Sequence, residues 1–586
     1  MSYDSVYDSA PWSRHYTGDY SEARLHGYGN LAELVADNAR EYADHIAFTT
    51  VMPNGMSGSL TYAEADAKAD DFAVYLREVI GLAPGTRVAV QMPNCLTFPV
   101  AAMGVFKAGC TLVNVNPLYT ESEMEHQFND AGVEALVIVD MFTDKLAAII
   151  DRTSVKHVVV TSVAQWFPGV VRGILQGVLK YWNKAVPDLT IDATYIDDAL
   201  EQARDVRQSR NVDVAAWWRD ITRDDVAVLQ YTGGTTGVSK GGVLTHGNIL
   251  TNIAQIDAVA SSHIEDGEEC VLTALPLYHI FAFTVNMLAF HCRGARNVLV
   301  PSPRPIQNCQ RALENYPITW ISGVNTLFNA LLNEEWFHIY PPKTMKVAIA
   351  GGTALQGAVA DRWERIVGCP IAEGYGLTES SPVVSFNPIG TGAKRNSIGI
   401  PAPGTHVRIV DDNGVTVPQG EPGEIIVQGD QVMRGYWNRD DETAKTLKDG
   451  WLYTGDVAYM DEDGYFHIVD RKKDMVLVSG FNVYPNEVED CIAELDKVHE
   501  AAVIGVPDAD TGEAVKAFVV KRDDSLTIEE VRKHCKQKLA GYKVPKQIEF
   551  RDDLPKTPVG KVLRKELRDG GSEAAGSAGG TDTRAA

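Results

Sequence analysis

Apolar and polar positions along the chain fall into three successive regimes. From about residue 85 to 370, short apolar runs alternate with helical patterns. The runs include 87–90, 135–139, 157–160, 226–230, 298–300 and 346–350, and the stretch 248–260 has helical spacing. Such alternation predicts largely parallel sheets with helices on their faces. From about 398 to 470 the period shortens. Segments such as His406–Val410 and Glu424–Val427 are separated by turn-forming clusters, Asp411 to Gly414 and Gln419 to Gly423, which predicts β-hairpins. After Lys473 a compact unit of mixed character follows, with strands at 501–505 and 515–519 and helices at 485–495 and 527–539.

The predicted fold is therefore α/β. A large N-terminal domain (1–472) combines mainly parallel α/β sheets with a β-rich hairpin or barrel subdomain, and a small C-terminal α/β domain (473–568) follows. Residues 569–586, rich in Gly, Ala, Ser and Thr without periodicity, read as a disordered tail. No internal repeat is present.

One helical stripe has two readings. Residues 170, 171, 174, 175, 178, 179 and 182 are apolar, and the charges among them, Arg172, Lys180 and Lys184, are all basic. A globular surface helix facing a core has this pattern. So does a basic amphipathic helix lying on an anionic membrane.

Composition narrows the class. The 586 residues exceed what one core holds, and 45% hydrophobic with 23% charged is ordinary for a globular protein. A net charge of −24 argues against nucleic acid as a partner. The eight cysteines show no metal-ligand spacing, which fits reduced thiols in a cytoplasmic protein. The polar, acidic N-terminus is no secretory signal, and no apolar run reaches the roughly 18 residues of a spanning helix.

The chemistry concentrates after the run 226–230. Tyr231, Thr232, Gly233, Gly234, Thr235, Thr236 and Gly237 lead to Ser239, Lys240 and Gly241. A strand thus feeds a loop of glycines, hydroxyls and one lysine. Its N–H groups can converge on one anion, with hydroxyl donors and a point charge added. This is polyphosphate-binding chemistry, without the Gly-Lys-Ser/Thr ending of the common nucleoside-triphosphatase loop.

The loop resembles the signature of the adenylate-forming enzymes, which include acyl-CoA synthetases, peptide-synthetase adenylation domains and firefly luciferase. Four further stretches match in order: Ala372 to Ser381, Tyr453 to Asp456, Asp470 to Asp474 and Pro555 to Lys561. The resemblance covers roughly residues 30 to 568. It implies ATP contacts from the loop with Lys240, from Glu373, Gly374, Tyr375 and Gly376, from Asp456 on the ribose and from Arg471 between ribose and phosphate. Glu379, joined by Thr235, would ligate Mg²⁺. Thr378, Glu379, His279 and Lys561 would be catalytic, with Lys561 stabilising the pentavalent transition state. Lys473 would be the hinge on which the small domain turns, and Ser479 and Gly480 would line the CoA channel.

Within that superfamily the sequence is most similar to bacterial long-chain fatty acyl-CoA synthetases, through 113–119, 323–329, 449–473 and 478–485. This implies that fatty acid, ATP and CoA are the substrates. The acyl pocket would comprise His279, Phe281, Gly323, Val324 and Gly351. His279 can sit beside the carboxylate or be a packed core histidine. An aryl-CoA ligase or an enzyme stopping at the acyl-adenylate is the alternative within the class, and a catalytically dead acyl-binding protein is the alternative outside it. Gly242 departs from the family, where alanine is usual, and would loosen the following strand. Oligomeric state, monomer or homodimer, stays open.

Overall fold

The structure is a computed structural model that describes residues 6–16, 27–232, 239–390, 392–479, 481–508, 511–557 and 560–568. Its architecture is mixed α/β. A seven-stranded sheet has the order Thr194–Tyr195, His157–Thr161, Val133–Val139, Arg87–Gln91, Thr111–Val115, Val226–Thr232, Lys240–Thr245. Every neighbour is parallel except the last pair. A nine-stranded sheet has six parallel strands at its centre, from Ile371–Gly376 to Ile46–Val51, and antiparallel strands at both edges. Strands buried on both faces need continuous apolar runs, and the Val, Ile and Ala stretches of the sequence supply them.

Helices Tyr62–Val74, Thr97–Lys107 and His246–Ala260 contribute to one large core together with residues of both sheets. The first two pack closely: a Cβ on Gly104 would lie 2.8 Å from the Phe72 ring. Lys107 is buried with its ammonium on Asp66 and Asp70 at 2.5 and 2.6 Å. A buried cation is tolerable only when paired in this way.

The β-rich part is antiparallel, built on Trp451–Met460, with Gly423–Gln428 on one side and Phe466–Arg471 on the other. Its hairpin at 411–414 closes as the sequence suggests. Asp411 Oδ1 accepts from Asn413 and Val415 N–H, and Gly414 takes φ +77°. The small domain has its own five-stranded sheet and its own core, including Val476, Val503, Val519 and Val531. Helices Pro485–Ala493 and Ile528–Lys538 pack on it.

Two elements differ from the sequence expectation. The strands Ile46–Val51 and Ser57–Thr61 join the nine-stranded sheet beside Arg296–Leu299, a pairing across some 250 residues that no local pattern announces. The helix Gly169–Gly177, continued by a π-helical turn Val178–Trp182, does not bury its whole stripe: only Leu175 is buried. The expected tail, 569–586, lies outside the described residues.

Candidate active site

The parallel strand Val226–Thr232 ends at the Gly/Thr loop. Gly233, Gly234, Thr235, Thr236 and Gly237 lie outside the described residues, as do Gly480 and residues 558–559. The loop's flanks are described. Tyr231 is buried, and its hydroxyl donates to Asp130 Oδ2 at 2.7 Å. A Cβ on Gly241 would meet the Tyr231 ring at 2.9 Å, so the glycine is required by packing. Tyr231 thus anchors the base of the loop. Thr232 and Lys240 pair across the strands that frame it.

Lys240 opens the return strand. Its ammonium lies 2.5 Å from Glu442 Oε2 and 5.0 Å above the Tyr436 ring. The Tyr436 hydroxyl donates to Glu379 Oε1 at 2.6 Å. A chain of contacts therefore joins the loop lysine to the carboxylate expected to hold metal. Glu379 sits in the short turn Thr378–Ser380 that follows the strand Ile371–Gly376. A cavity of about 240 Å³ opens beside it, lined by Glu379, Tyr436, Lys445, Lys448, Tyr453 and Gly455 among others. Tyr436, Glu442, Lys445 and Lys448 escaped sequence reasoning. They belong to an ordinary polar segment, and only the fold brings them to Glu379.

Asp456 and Arg471 are register partners on neighbouring antiparallel strands. Arg471 Nε is 3.2 Å from Asp456 Oδ1, and the Tyr375 hydroxyl donates to Asp456 Oδ2 at 2.6 Å. The Asp456 carboxylate raises the Arg471 pKa, and burial holds the Tyr375 phenol well above its ordinary value. All three sequence-predicted residues thus share one cluster. Glu373, on the strand of Tyr375, accepts from Leu355 N–H at 3.1 Å. Burial pushes its carboxyl up to about 8, with Asp490 of the small domain adding to the shift. Glycines 374 and 376 lie against the neighbouring strand: a Cβ on Gly376 would fall 2.0 Å from Pro382 O. Thr378 lies near Gly242, its Cγ2 3.9 Å from where a Cβ there would stand.

Lys561 reaches the same cleft from the small domain. Its N–H donates to Thr557 Oγ1 at 3.1 Å and its carbonyl accepts from Thr557 N–H at 2.7 Å. Arg304 Nη2 holds Thr557 O at 3.0 Å, and Thr326 Oγ1 holds Gly560 O at 3.3 Å. Gly560 has φ +90°, and a Cβ there would lie 2.5 Å from Thr326 Oγ1. A glycine is therefore needed one residue before the lysine. The Lys561 Cε lies 3.5 Å from where a Cβ of Gly352 would stand, close to Val324. Burial lowers its pKa to about 8; Arg471 and Lys473 push the same way, against Asp456 and Glu379.

His279 and Phe281 flank the start of the π-helical stretch Ala282–Ala289. Burial, aided by the Lys561 charge, takes His279 down to about 3, so its imidazole is neutral at physiological pH. A Cβ on Gly351 would touch the Phe281 ring at 3.1 Å, whereas one on Gly323 would strike Phe328 and Leu327. Gly351, Val324 and Phe281 therefore gather near the lysine, and Gly323 serves the packing of the following helix. Gly352, which sequence reasoning passed over, meets Lys561 most directly.

At the inter-domain connection, Lys472 N–H donates to Gly455 O at 3.0 Å. Burial lowers the Lys473 pKa. Ser479 has φ +52°, and its N–H donates to Thr511 O at 2.8 Å.

The frame of the Gly/Thr loop, an Asp–Arg–Tyr cluster, Glu379 and Glu424 beside a cavity, and a lysine delivered by a second domain stand together about one cleft. Residues 35–437 match the AMP-binding enzyme family and residues 487–561 its C-terminal domain, and the chain belongs to that family. It is 48% identical to a long-chain-fatty-acid–CoA ligase of Yersinia pestis over 95% of this chain and 97% of that one. It is 45% identical to one of Escherichia coli O6:H1 over 95% and 98%. Among solved structures it is similar to an anthranilate CoA ligase in complex with anthranoyl-AMP (TM-score 0.82, 25% identity, 95% of this chain and 100% of that one). It is also similar to ATP-bound MatB from Rhodopseudomonas palustris (TM-score 0.76, 29% identity, 93% and 99%).

Proposed function

We propose that the chain is a fatty acid:CoA ligase that forms AMP and acts on medium to long acyl chains. The observation that carries this reading is Lys561, seated beside Gly352 and electrostatically coupled to Asp456 and Glu379. A carboxylate attacking the α-phosphate of ATP meets anion repulsion, and a preorganised cation relieves it. The carboxylate oxygen bonds to the α-phosphorus, the bond to the bridging oxygen breaks, and pyrophosphate leaves. The CoA sulfur then attacks the acyl carbonyl, loses its proton, and AMP departs.

In this reading Asp456 accepts from the ribose hydroxyls, Tyr375 presents a face to adenine, and Arg471 spans ribose and phosphate. The loop 232–237 with Lys240 takes the β- and γ-phosphates. Mg²⁺ accompanies ATP. Among the described residues no group of three His, Cys, Asp or Glu could hold a metal unaided. A single carboxylate such as Glu379, with phosphate oxygens and water, suits an ion that keeps much of its hydration. Bound there, Mg²⁺ would neutralise phosphate charge. His279, neutral, would sit beside the acyl carboxylate. The small domain would begin at Lys473, the hinge, and its rotation would exchange the face of Lys561 for that of Ser479 and Gly480.

The protein would work in the cytoplasm, and the segment 170–182 would touch the inner membrane face. Among the described residues no helix is long and apolar enough to cross a membrane.

An aryl-CoA ligase is the second reading, since a feruloyl-CoA synthase of an Amycolatopsis species is 33% identical. The higher identity to the long-chain ligases favours the first. Turnover of octanoate, palmitate, oleate, benzoate and cinnamate with ATP, Mg²⁺ and CoA decides between them. CoA-dependent loss of palmitate and oleate is expected. Use of benzoate or cinnamate alone would reject the fatty-acid reading.

A further inference from the structure

Glu442, in the short helix Asp440–Thr446, stands between two cations from different elements. Its Oε2 lies 2.5 Å from the ammonium of Lys240, on the strand that returns from the Gly/Thr loop. Its Oε1 lies 2.8 Å from the ammonium of Lys445. Hydrogen bonds from the two lysines hold its carboxyl down at about 2. A carboxylate shared by two ammonium groups stands where a phosphate oxygen would be equally well received.

Lys445 also lines the cavity of about 240 Å³ beside Glu379, together with Lys448, Thr446 and Tyr453. Lys448 lies 4.4 Å above the Tyr453 ring. The two acids on the cavity wall have partners of their own. Glu379 Oε1 accepts from the Tyr436 hydroxyl at 2.6 Å. Glu424 Oε1 accepts from Gly455 N–H at 3.0 Å, and its Oε2 lies 3.4 Å from Lys472. The cavity therefore offers two lysines and two hydroxyls to an anion, and it is joined through Glu442 to the lysine of the loop.

We propose that this cavity receives the pyrophosphate released by adenylation, and that Lys445 and Lys448 bind it there. The proposal rests on the adenylating reading given above and extends it to the fate of the leaving group. When the acyl carboxylate attacks the α-phosphorus, the bond to the bridging oxygen breaks on the side away from the nucleophile. Pyrophosphate departs toward the groups that held the β- and γ-phosphates, and Lys240 is one of them in this reading. Lys240 shares Glu442 with Lys445, so the anion can pass from the loop lysine to the cavity as Glu442 gives way. Withdrawn there, pyrophosphate no longer stands in line with the acyl-AMP phosphorus and cannot reverse the step. Lys445 is 70% exposed, so its hold is screened by water and release stays fast. CoA carries a phosphoanhydride too, but the link to Lys240 places the cavity on the side of the ATP phosphates.

The test titrates the full chain with inorganic pyrophosphate and Mg²⁺ by calorimetry, beside steady-state kinetics with ATP, CoA and oleate. Lys445→Gln with Lys448→Gln should weaken pyrophosphate roughly tenfold at low salt, two screened contacts of a few-fold each. The KM for ATP should move several-fold less. Glu442→Gln should tighten pyrophosphate a few-fold, because a competing anion is withdrawn; a merely structural role would not tighten it. Circular dichroism controls for folding. A double variant that binds pyrophosphate as wild type does, or a Glu442→Gln variant that binds it less tightly, overturns the proposal. Equal weakening of ATP and pyrophosphate makes the lysines part of the seat of ATP itself and also overturns it. So does a raised KM for CoA with pyrophosphate binding intact, which assigns the cavity to CoA. If wild type activates no fatty acid, the ligase reading fails, while calorimetry with pyrophosphate still reports on the cavity.

Discussion

Asp456 and Arg471 face each other across two antiparallel strands, and the two oxygens of Asp456 serve different partners: Oδ1 the guanidinium at 3.2 Å, Oδ2 the Tyr375 hydroxyl at 2.6 Å. The carboxylate is thereby fixed in orientation before any nucleotide arrives. Asp456→Asn keeps the shape and removes the charge. Hydrogen bonds to charged groups contribute about 1.5–3 kcal/mol. The KM for ATP should therefore rise roughly ten- to hundredfold, with the thermal midpoint little changed. Steady-state kinetics checks this; an unaltered KM removes Asp456 from the ribose site.

Lys561 predicts a pH dependence. Its pKa is lowered to about 8 by burial, and the ammonium is the form that the proposed adenylation step would use. The group is protonated below that pH and neutral above it. ATP–pyrophosphate exchange, followed as kcat/KM, should therefore hold up to about pH 8 and decline beyond it. An ordinary lysine would not decline until about 10.4. Bound ATP opposes the shift, so kcat should decline at higher pH than kcat/KM. A flat kcat/KM profile from pH 7 to 10 contradicts this.

The two half-reactions should separate genetically. A preorganised cation contributes about 3 kcal/mol or more at a transition state, a hundredfold or greater in rate. Lys561→Ala should lose that much acyl-AMP formation, yet convert supplied acyl-AMP to acyl-CoA near the wild-type rate. Lys473→Pro should show the reverse, because proline fixes φ. Equal loss of both half-reactions in both variants, with folding intact, would mean that the small domain does not alternate.

Adjacent glycines should respond oppositely to alanine. At Gly242 a Cβ would make ordinary contacts, 3.4 Å to Met433 Sδ and 3.5 Å to Gln230 O. Gly242→Ala should raise stability by about 0.4–1 kcal/mol through the unfolded chain. At Gly241 the Tyr231 ring lies 2.9 Å away, and alanine should destabilise by about 1–3 kcal/mol through overpacking. Denaturant midpoints measure both; the same sign for both would refute the steric account.

Glu379→Gln should weaken Mg²⁺-dependent adenylation by a few kcal/mol, on the order of a charged partner lost from a metal site. Titrating Mg²⁺ in the exchange assay reads this. A wild-type rate at limiting Mg²⁺ would mean that Glu379 is no ligand.

Much of the fold was legible because parallel strands buried on both faces need continuous apolar runs, as 158–160 and 135–139 supply. What stayed hidden depends on contacts distant in sequence. Nothing near Ile46–Val51 announces its pairing with Arg296–Leu299. Asp456, Arg471 and Tyr375 were legible from their motifs, and the structure gathers them. Tyr436 and Glu442 were not, because their role comes from standing beside Glu379 and Lys240. The stripe at 170–182 was visible, but which side faces water is decided by what packs against it.

Near the cleft three large-domain side chains grip main-chain atoms of the small domain: Arg304 on Thr557 O, Thr326 on Gly560 O and Asn329 on His499 O; side chains meet as well, Asn333 with His499 and Asp470 with Arg564. A grip on carbonyl groups reads the path of a chain and is indifferent to its side chains. Apart from His499, Asn486 and Arg564, whose side chains also touch the large domain, the joint therefore leaves the small domain's surface free to vary. A C-terminal unit from another family member, grafted at residue 473 with its backbone course preserved, should seat in the same socket and bring its own lysine to the phosphate.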